Sequence, residues 1–263
     1  MRTSDRPDHG LAPVDHRTAV ATETARFVAA VRGADLGTPV PSCPGWTLAD
    51  LVKHAGSVQR WFSVLLRGRI QEPPRSRDVD LRLPGREDGW ADWLADSATE
   101  AAGAFAATDP DTPMWVWGAD PHARFWARRM LFETLIHRVD AELALGIRPE
   151  IDRAVAVDGV DEFLVNLPFA GFFAPKVANL RGNGETIRFR STDADGDWLV
   201  RLRPDGFGLD LAGEAAVPAD ATVRGAAADL LLLAYGRLSL DAEAFEHEGD
   251  EELLARWFAN SEF

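Results

Sequence analysis

Glu133 and His137 stand four residues apart in a run that keeps apolar residues at helical spacing. One turn of α-helix puts both on a single face, which reads Trp126, Met130, Glu133, His137, Ala141 and Ala144. Far upstream, His54 lies between Leu51 and Val58 on a face that also carries Phe62 and Leu65. Apolar helix faces must be buried, and burying even a neutral polar group without a partner costs about 2–7 kcal/mol. A divalent metal between the two helices would satisfy all three groups at once. The residues alone leave two readings open: hydrogen-bonded polar groups within a core, or ligands of one divalent metal. In the second reading, two histidines and one glutamate leave a coordination position free, as catalytic rather than structural zinc sites do.

The elements around these residues follow from pattern. Residues 15–33 read as a first helix, with Ala19, Thr22, Phe27, Ala30 and Val31 as a partial stripe. Pro39, Pro41, Pro44 and Gly45 then force a tight, rigid turn. Thr47 is the expected N-cap of a second helix reaching about residue 67, with Asp50 completing a capping-box arrangement. A loop rich in Pro, Arg and Asp covers about 68–86, and a third helix spans about 87–107. Asp120 as N-cap and Pro121 as first residue are expected to start a fourth helix, which Gly146 ends. Four helices joined by loops predict an antiparallel bundle, where metal sites lie between facing helices.

After Pro149 the period changes. A helix over 151–167 and an apolar stretch broken by Pro and Gly over 168–175 precede period-two runs at 186–190, 198–203 and 207–211. Pro204-Asp205-Gly206 joins the last two as a hairpin turn. A strand at 221–224 and helices at 226–235 and 250–258 complete an α+β half. The expected division is a flexible tail (1–13), a helical domain (14–148) and an α+β domain (149–263).

Composition narrows the chemistry. Cys43 is the sole cysteine, which rules out an intrachain disulfide and an all-thiolate metal site. A formal net charge of −14 argues against a nucleic-acid partner, which needs a basic footprint. No run approaches the ~18–20 apolar residues of a membrane helix, so no membrane partner is expected. The polar start lacks the apolar core of a signal peptide, giving a cytoplasmic expectation. Cys43 fits either a nucleophile near the site or a small buried turn residue. Asp140, one turn beyond His137, fits either an acceptor for the free ring N–H of His137 or a pair with Arg138. His9, His16, His122 and His247 lie in polar surroundings and read as solvated.

Residues 40–54, Val-Pro-Ser-Cys-Pro-Gly-Trp-Thr-Leu-Ala-Asp-Leu-Val-Lys-His, resemble the opening motif of the mycothiol-dependent maleylpyruvate isomerase family. Residues 125–146, Phe-Trp-Ala-Arg-Arg-Met-Leu-Phe-Glu-Thr-Leu-Ile-His-Arg-Val-Asp-Ala-Glu-Leu-Ala-Leu-Gly, resemble its second motif along their whole length. The resemblance extends over nearly the whole chain. It implies an α + α/β two-domain fold: a DinB-like four-helix bundle followed by a small α+β domain resembling sterol carrier proteins. It also implies a divalent metal on His54, Glu133 and His137, with zinc favoured by ligand type, and mycothiol as thiol cofactor. A coordinating metal deprotonates a thiol outright. The thiolate would add to an electrophilic small molecule, carboxylates included, and then leave after bond rotation (an isomerase) or stay attached (an S-transferase).

The family also places an Arg of the C-terminal domain at the substrate. Arg237 is the first candidate and Arg224 the second, with capping of helix carbonyls the alternative for Arg237. Other classes stay in view: a non-catalytic metal or small-ligand binding or stress-response module, using 169–173 as a surface, or a metal-dependent hydrolase. For 169–173 the plainer expectation is core packing. The expected assembly is a monomer or homodimer.

Overall fold

The computed structural model describes residues 13–72, 79–210 and 218–262. The expected tail lies, up to residue 12, outside the described residues, as do part of the 68–86 loop and the last residue of the 207–211 run. The described residues divide into two units, Asp15–Val116 with Asp120–Glu150, and those from Ile151 onward with Trp117–Ala119.

The first unit holds four helices: α1 (His16–Val31), α2 (Leu48–Gly68), α3 (Trp90–Ala106) and α4 (Ala123–Ala144). Helix α1 packs on α3 and α4, and α2 packs on the same two. Phe27, Leu48, Leu51, Leu94 and Ala141 meet in one part of the shared core. The helix ends expected at Thr47 and Gly146 are found, and Asp15, expected within the first helix, is its N-cap. Asp15 caps α1 by accepting from Thr18 N, and Thr47 and Asp50 form the reciprocal capping box of α2. Gly146 leaves α4 in the left-handed region, with φ 71°. Where α2 crosses α3, Gly56 lies under the ring of Trp93, and a Cβ there would collide with it. Gly56→Ala is expected to destabilise the protein by about 1–3 kcal/mol through overpacking, read as a lower urea midpoint.

The start of α4 differs from expectation. The helix begins at Ala123, after His122 in extended backbone with no side-chain cap. Ala123 N and Arg124 N, which an N-cap side chain would help satisfy, donate instead to Thr112 O and Pro110 O, both at 2.9–3.0 Å. Asp120 is drawn off to Arg124, whose Nε donates to its Oδ2 at 2.6 Å. A backbone loop caps this helix, and no local pattern could announce it.

The second unit opens with α5 (Arg153–Asn166), capped by Asp152. Two short 3-10 turns, Leu167–Phe172 and Pro175–Asn179, follow. The sheet contains β1 (Thr186–Ser191), β2 (Asp197–Arg203), β3 (Gly206–Leu209), β4 (Ala221–Gly225) and β5 (Glu246–Gly249), in the order β3-β2-β1-β4-β5. Only the β1–β4 pairing is parallel. Register puts Ile187, Phe189, Val200, Trp198, Ala221 and Val223 on one face, where Phe189 meets Trp257 of α7 (Glu251–Asn260). Helix α6 (Ala227–Ala234) lies between β4 and β5 in the chain. Strand β5 was not expected: its residues Glu-His-Glu-Gly are all exposed and show no apolar alternation. It exists as an edge strand, paired to β4 through its backbone.

The core-packing expectation for 169–173 holds only for the buried Ala170; Phe172 is 99% exposed, and Phe169 and Phe173 are about half exposed. No described helix is long and apolar enough to cross a membrane.

Candidate metal centre

Helices α2 and α4 carry the three ionisable residues of the two apolar faces, and the packing of the bundle brings them together. His54 Nε2 lies 2.9 Å from Glu133 Oε1, and His137 Nε2 lies 3.3 Å from the same oxygen. Within this trio the donor atoms lie within 4.8 Å of one another. Zinc bond lengths near 2.0–2.1 Å at tetrahedral angles separate ligand atoms by about 3.3 Å, so one ion fits this spacing. Side-chain exposure rises from 13% at His137 through 26% at Glu133 to 35% at His54, so solvent reaches the group from the His54 side.

A wall of the site comes from the proline turn. Cys43-Pro44-Gly45-Trp46 closes with Trp46 N donating to Cys43 O at 3.0 Å, and Gly45 has φ 85°. Proline at the second position and a positive-φ glycine at the third are what a type II turn requires. The turn presents the Trp46 ring to both imidazoles, at centroid distances of 5.1 Å from His54 and 6.4 Å from His137. Spacing alone did not single out Trp46. The density of Pro and Gly around it was the available signal.

Asp140 anchors this turn to α4. It is fully buried and accepts from Ser42 Oγ at 2.6 Å and from His137 Nδ1 at 3.0 Å, with the Cys43 thiol 3.5 Å away. Its contact with Nδ1 turns the other ring nitrogen, Nε2, toward Glu133. Cys43, His137 and Asp140 form a second close trio of potential ligands, sharing His137 with the first. Arg138 turns to Glu23 and Glu142. Arg129, one turn before Glu133, brings Nη2 to 3.6 Å from Glu133 Oε2. Sequence reasoning passed it over, although an Arg four residues before a Glu is itself a pairing signal.

The electrostatics follow from these partners. Burial alone would raise the Glu133 carboxyl, but hydrogen bonds from His137 and His54 and the charge of Arg129 hold it well below its usual range. Burial likewise disfavours the His137 cation, yet Asp140, Cys43 and Glu133 hold its pKa well above the ordinary 6.5. The lowered carboxyl contributes stability that is complete above about 4.5 and fades as pH falls through its folded pKa. The raised imidazole contributes stability that is complete below about 6.5 and fades as pH rises through its folded pKa. Metal-free protein is therefore expected to lose stability above neutrality as His137 gives up its proton. Urea midpoints in chelator across pH check this, and a profile that does not fall above neutrality would contradict it.

The two candidate arginines lie in the second unit. Arg224 pairs with Glu248 of β5 at 2.7 Å. Arg237 Nη1 donates to Tyr235 O, at the end of α6, at 2.7 Å, which is the capping contact. Arg237 also lines a cleft of about 620 Å³ with His247, Glu251 and Phe258.

Residues 17–142 match the mycothiol maleylpyruvate isomerase N-terminal domain, and residues 154–256 match the C-terminal domain of the same proteins. Among solved structures, the fold is similar to that of a mycothiol-dependent maleylpyruvate isomerase at TM-score 0.60 and 15% identity, covering 91% of this chain and 94% of that one. A histidine-to-alanine mutant of a mycothiol-dependent maleylpyruvate isomerase matches at TM-score 0.59 and 15% identity over the same shares. No curated protein matches the chain. With both domain models matched in order across most of its length, the chain belongs to the mycothiol-dependent maleylpyruvate isomerase family, a family of enzymes.

Proposed function

We propose that this enzyme binds one divalent ion, zinc by preference, through His54, Glu133 and His137, and uses mycothiol as the thiol that reacts with a small electrophile. The observation that supports it best is the convergence of these three donor atoms from two helices, with Asp140 aligning His137 from behind. The mixed nitrogen and oxygen donor set, which contains no sulfur, suits zinc. An ion held there would lower the pKa of an incoming thiol, so that the thiolate is available near neutral pH.

The protein's own residues have distinct tasks in this reading. His54, Glu133 and His137 present an opening on the His54 side, and Trp46 gives that opening an aromatic wall. Asp140 holds the Nδ1 proton of His137 and keeps its Nε2 turned inward. In the second domain Arg237, or else Arg224, would grip a carboxylate of the electrophile in a two-pronged contact. The thiolate adds to an electron-poor double bond, and the resulting single bond can rotate. The electron pair of the broken π bond is held as an enolate on the conjugated carbonyl. Its return with expulsion of the thiolate completes an isomerisation, whereas protonation of the enolate carbon by solvent and release of the adduct completes an S-transfer. The helical domain, residues 14–148, is proposed as a DinB-like bundle and residues 149–263 as a sterol-carrier-like domain, in a cytoplasmic monomer or homodimer.

Thermal melting with mycothiol, in the presence and absence of zinc, tests the thiol role. We expect millimolar mycothiol to raise Tm when zinc is present and to leave it unchanged in chelator. No rise with zinc would favour a metal hydrolase or a non-catalytic binding module. Turnover of maleylpyruvate against a panel of electrophiles then separates isomerase from transferase.

A further inference from the structure

We infer that Cys43, His137 and Asp140 form a second metal site, of mixed sulfur, nitrogen and oxygen donors, which takes a thiophilic ion and, while filled, excludes an ion from the trio of His54, Glu133 and His137. The sulfur site stands on its own geometry. Only the exclusion rests on the reading of the first trio as ligands.

The donors come from two segments far apart in the chain, the proline turn and α4. Asp140 is where they meet. Its Oδ1 accepts from the Ser42 hydroxyl at 2.6 Å, while Oδ2 faces the Cys43 thiol at 3.5 Å and His137 Nδ1 at 3.0 Å. Around a zinc-sized ion at tetrahedral angles, thiolate sulfur and carboxylate oxygen stand about 3.5 Å apart, and imidazole nitrogen and carboxylate oxygen about 3.3 Å. The spacing is that of a ligand set, and one ion can take the place of the protons these groups share. Asp140 is fully buried, His137 is 13% exposed and Cys43 is half-buried, so an ion reaches the group past the sulfur. Soft thiolate favours ions such as copper(I), whereas the first trio has no sulfur to offer them. On binding, the Cys43 thiol and His137 Nδ1 each release a proton to solvent, and His137 Nε2 keeps its proton toward Glu133 Oε1. A neutral imidazole has one lone pair to give, so His137 serves either trio but not both.

Cadmium(II) is the probe, because cadmium-bound thiolate absorbs in the ultraviolet and Cys43 is the only cysteine that could give the signal. We expect wild-type protein to develop this absorption up to one equivalent of cadmium, and Cys43→Ser to show none. His54→Ala, which removes a donor of the first trio alone, is expected to keep it. Alkylation of Cys43 by iodoacetamide is expected to slow about tenfold once cadmium is bound, since the ion then holds the thiolate. Should Cys43→Ser fail to fold, Cys43→Ala carries the same comparison. Wild-type protein without thiolate absorption would overturn the sulfur site and leave the first trio, which zinc content tests separately, untouched. Loss of the absorption in His54→Ala would overturn a separate site, because Cys43 would then be completing the first trio. Zinc and cadmium retained together at two equivalents per chain would overturn the exclusion.

Discussion

Glu133→Ala is expected to reduce the metal content of the purified protein from about one equivalent per chain to a trace, and His54→Ala to do the same. Each change removes one of the three donors of the trio. Glu133 Oε1 is the atom that both imidazoles address, so its loss leaves two nitrogens with no charged ligand between them. His54 is the only member of the trio on α2, so its loss leaves both remaining donors on α4. Changes to groups that merely support a ligand cost about 10–100-fold in affinity, and loss of a ligand should exceed that. Elemental analysis of the variants beside wild type is the measurement. Zinc-induced stabilisation offers a second readout, since a ligand bound only to the folded state raises Tm by mass action. Stoichiometric metal in both variants would remove this site from consideration.

A change at the residue next to His137, whose side chain turns to other partners, should have the largest effect on folding. Arg138 is fully buried, with Nε donating to Glu23 Oε2 at 2.8 Å, Nη1 to Glu142 Oε2 at 2.6 Å and Nη2 to Glu150 O at 3.1 Å. Arg138→Ala leaves two largely buried carboxylates facing a void, and breaking a buried pair from one side costs about 3–5 kcal/mol. Against a typical stability of about 5–15 kcal/mol, that is a large fraction. We expect a much lower urea midpoint with little change in its slope. Replacing Arg138, Glu23 and Glu142 together by apolar residues of similar volume should recover most of the loss, because no charge is then stranded. A midpoint within about 0.5 kcal/mol of wild type for Arg138→Ala would show that the network contributes little. The same contacts tie α4 to α1, and so hold the rotation of α4 that aims Glu133 and His137 at α2.

Much of this was legible in the chain before any coordinates. Thr47 with Asp50 and Gly146 mark helix ends through contacts a few residues long, and these appear as read. The same holds for the Pro204-Asp205 turn, where Arg203 faces Gly206 in the register of β2 and β3. Asp15 and Asp152, read as the first and second residues of their helices rather than as caps, turn out to be N-caps by equally local contacts. The features that misled share a different cause. Asp120 has the composition of a cap, but the backbone carbonyls of Pro110 and Thr112 reach the helix start first. Strand β5 has no apolar pattern because it is an exposed edge, held to β4 by backbone pairing and the Arg224–Glu248 ion pair.

The sequence by itself determined the helices, most of the strands, and the faces on which His54, Glu133 and His137 lie, because periodicity and caps act within one or two turns; the family came from the resemblance of residues 40–54 and 125–146. Only the tertiary structure decided how those faces meet. It brought one oxygen of Glu133 to both histidines and the other toward Arg129, set Asp140 behind His137, and swung Arg138 to Glu23, 115 residues away in the chain. Which charge answers which is settled by long-range packing, since a buried ion accepts whatever counter-charge the assembled core brings within reach.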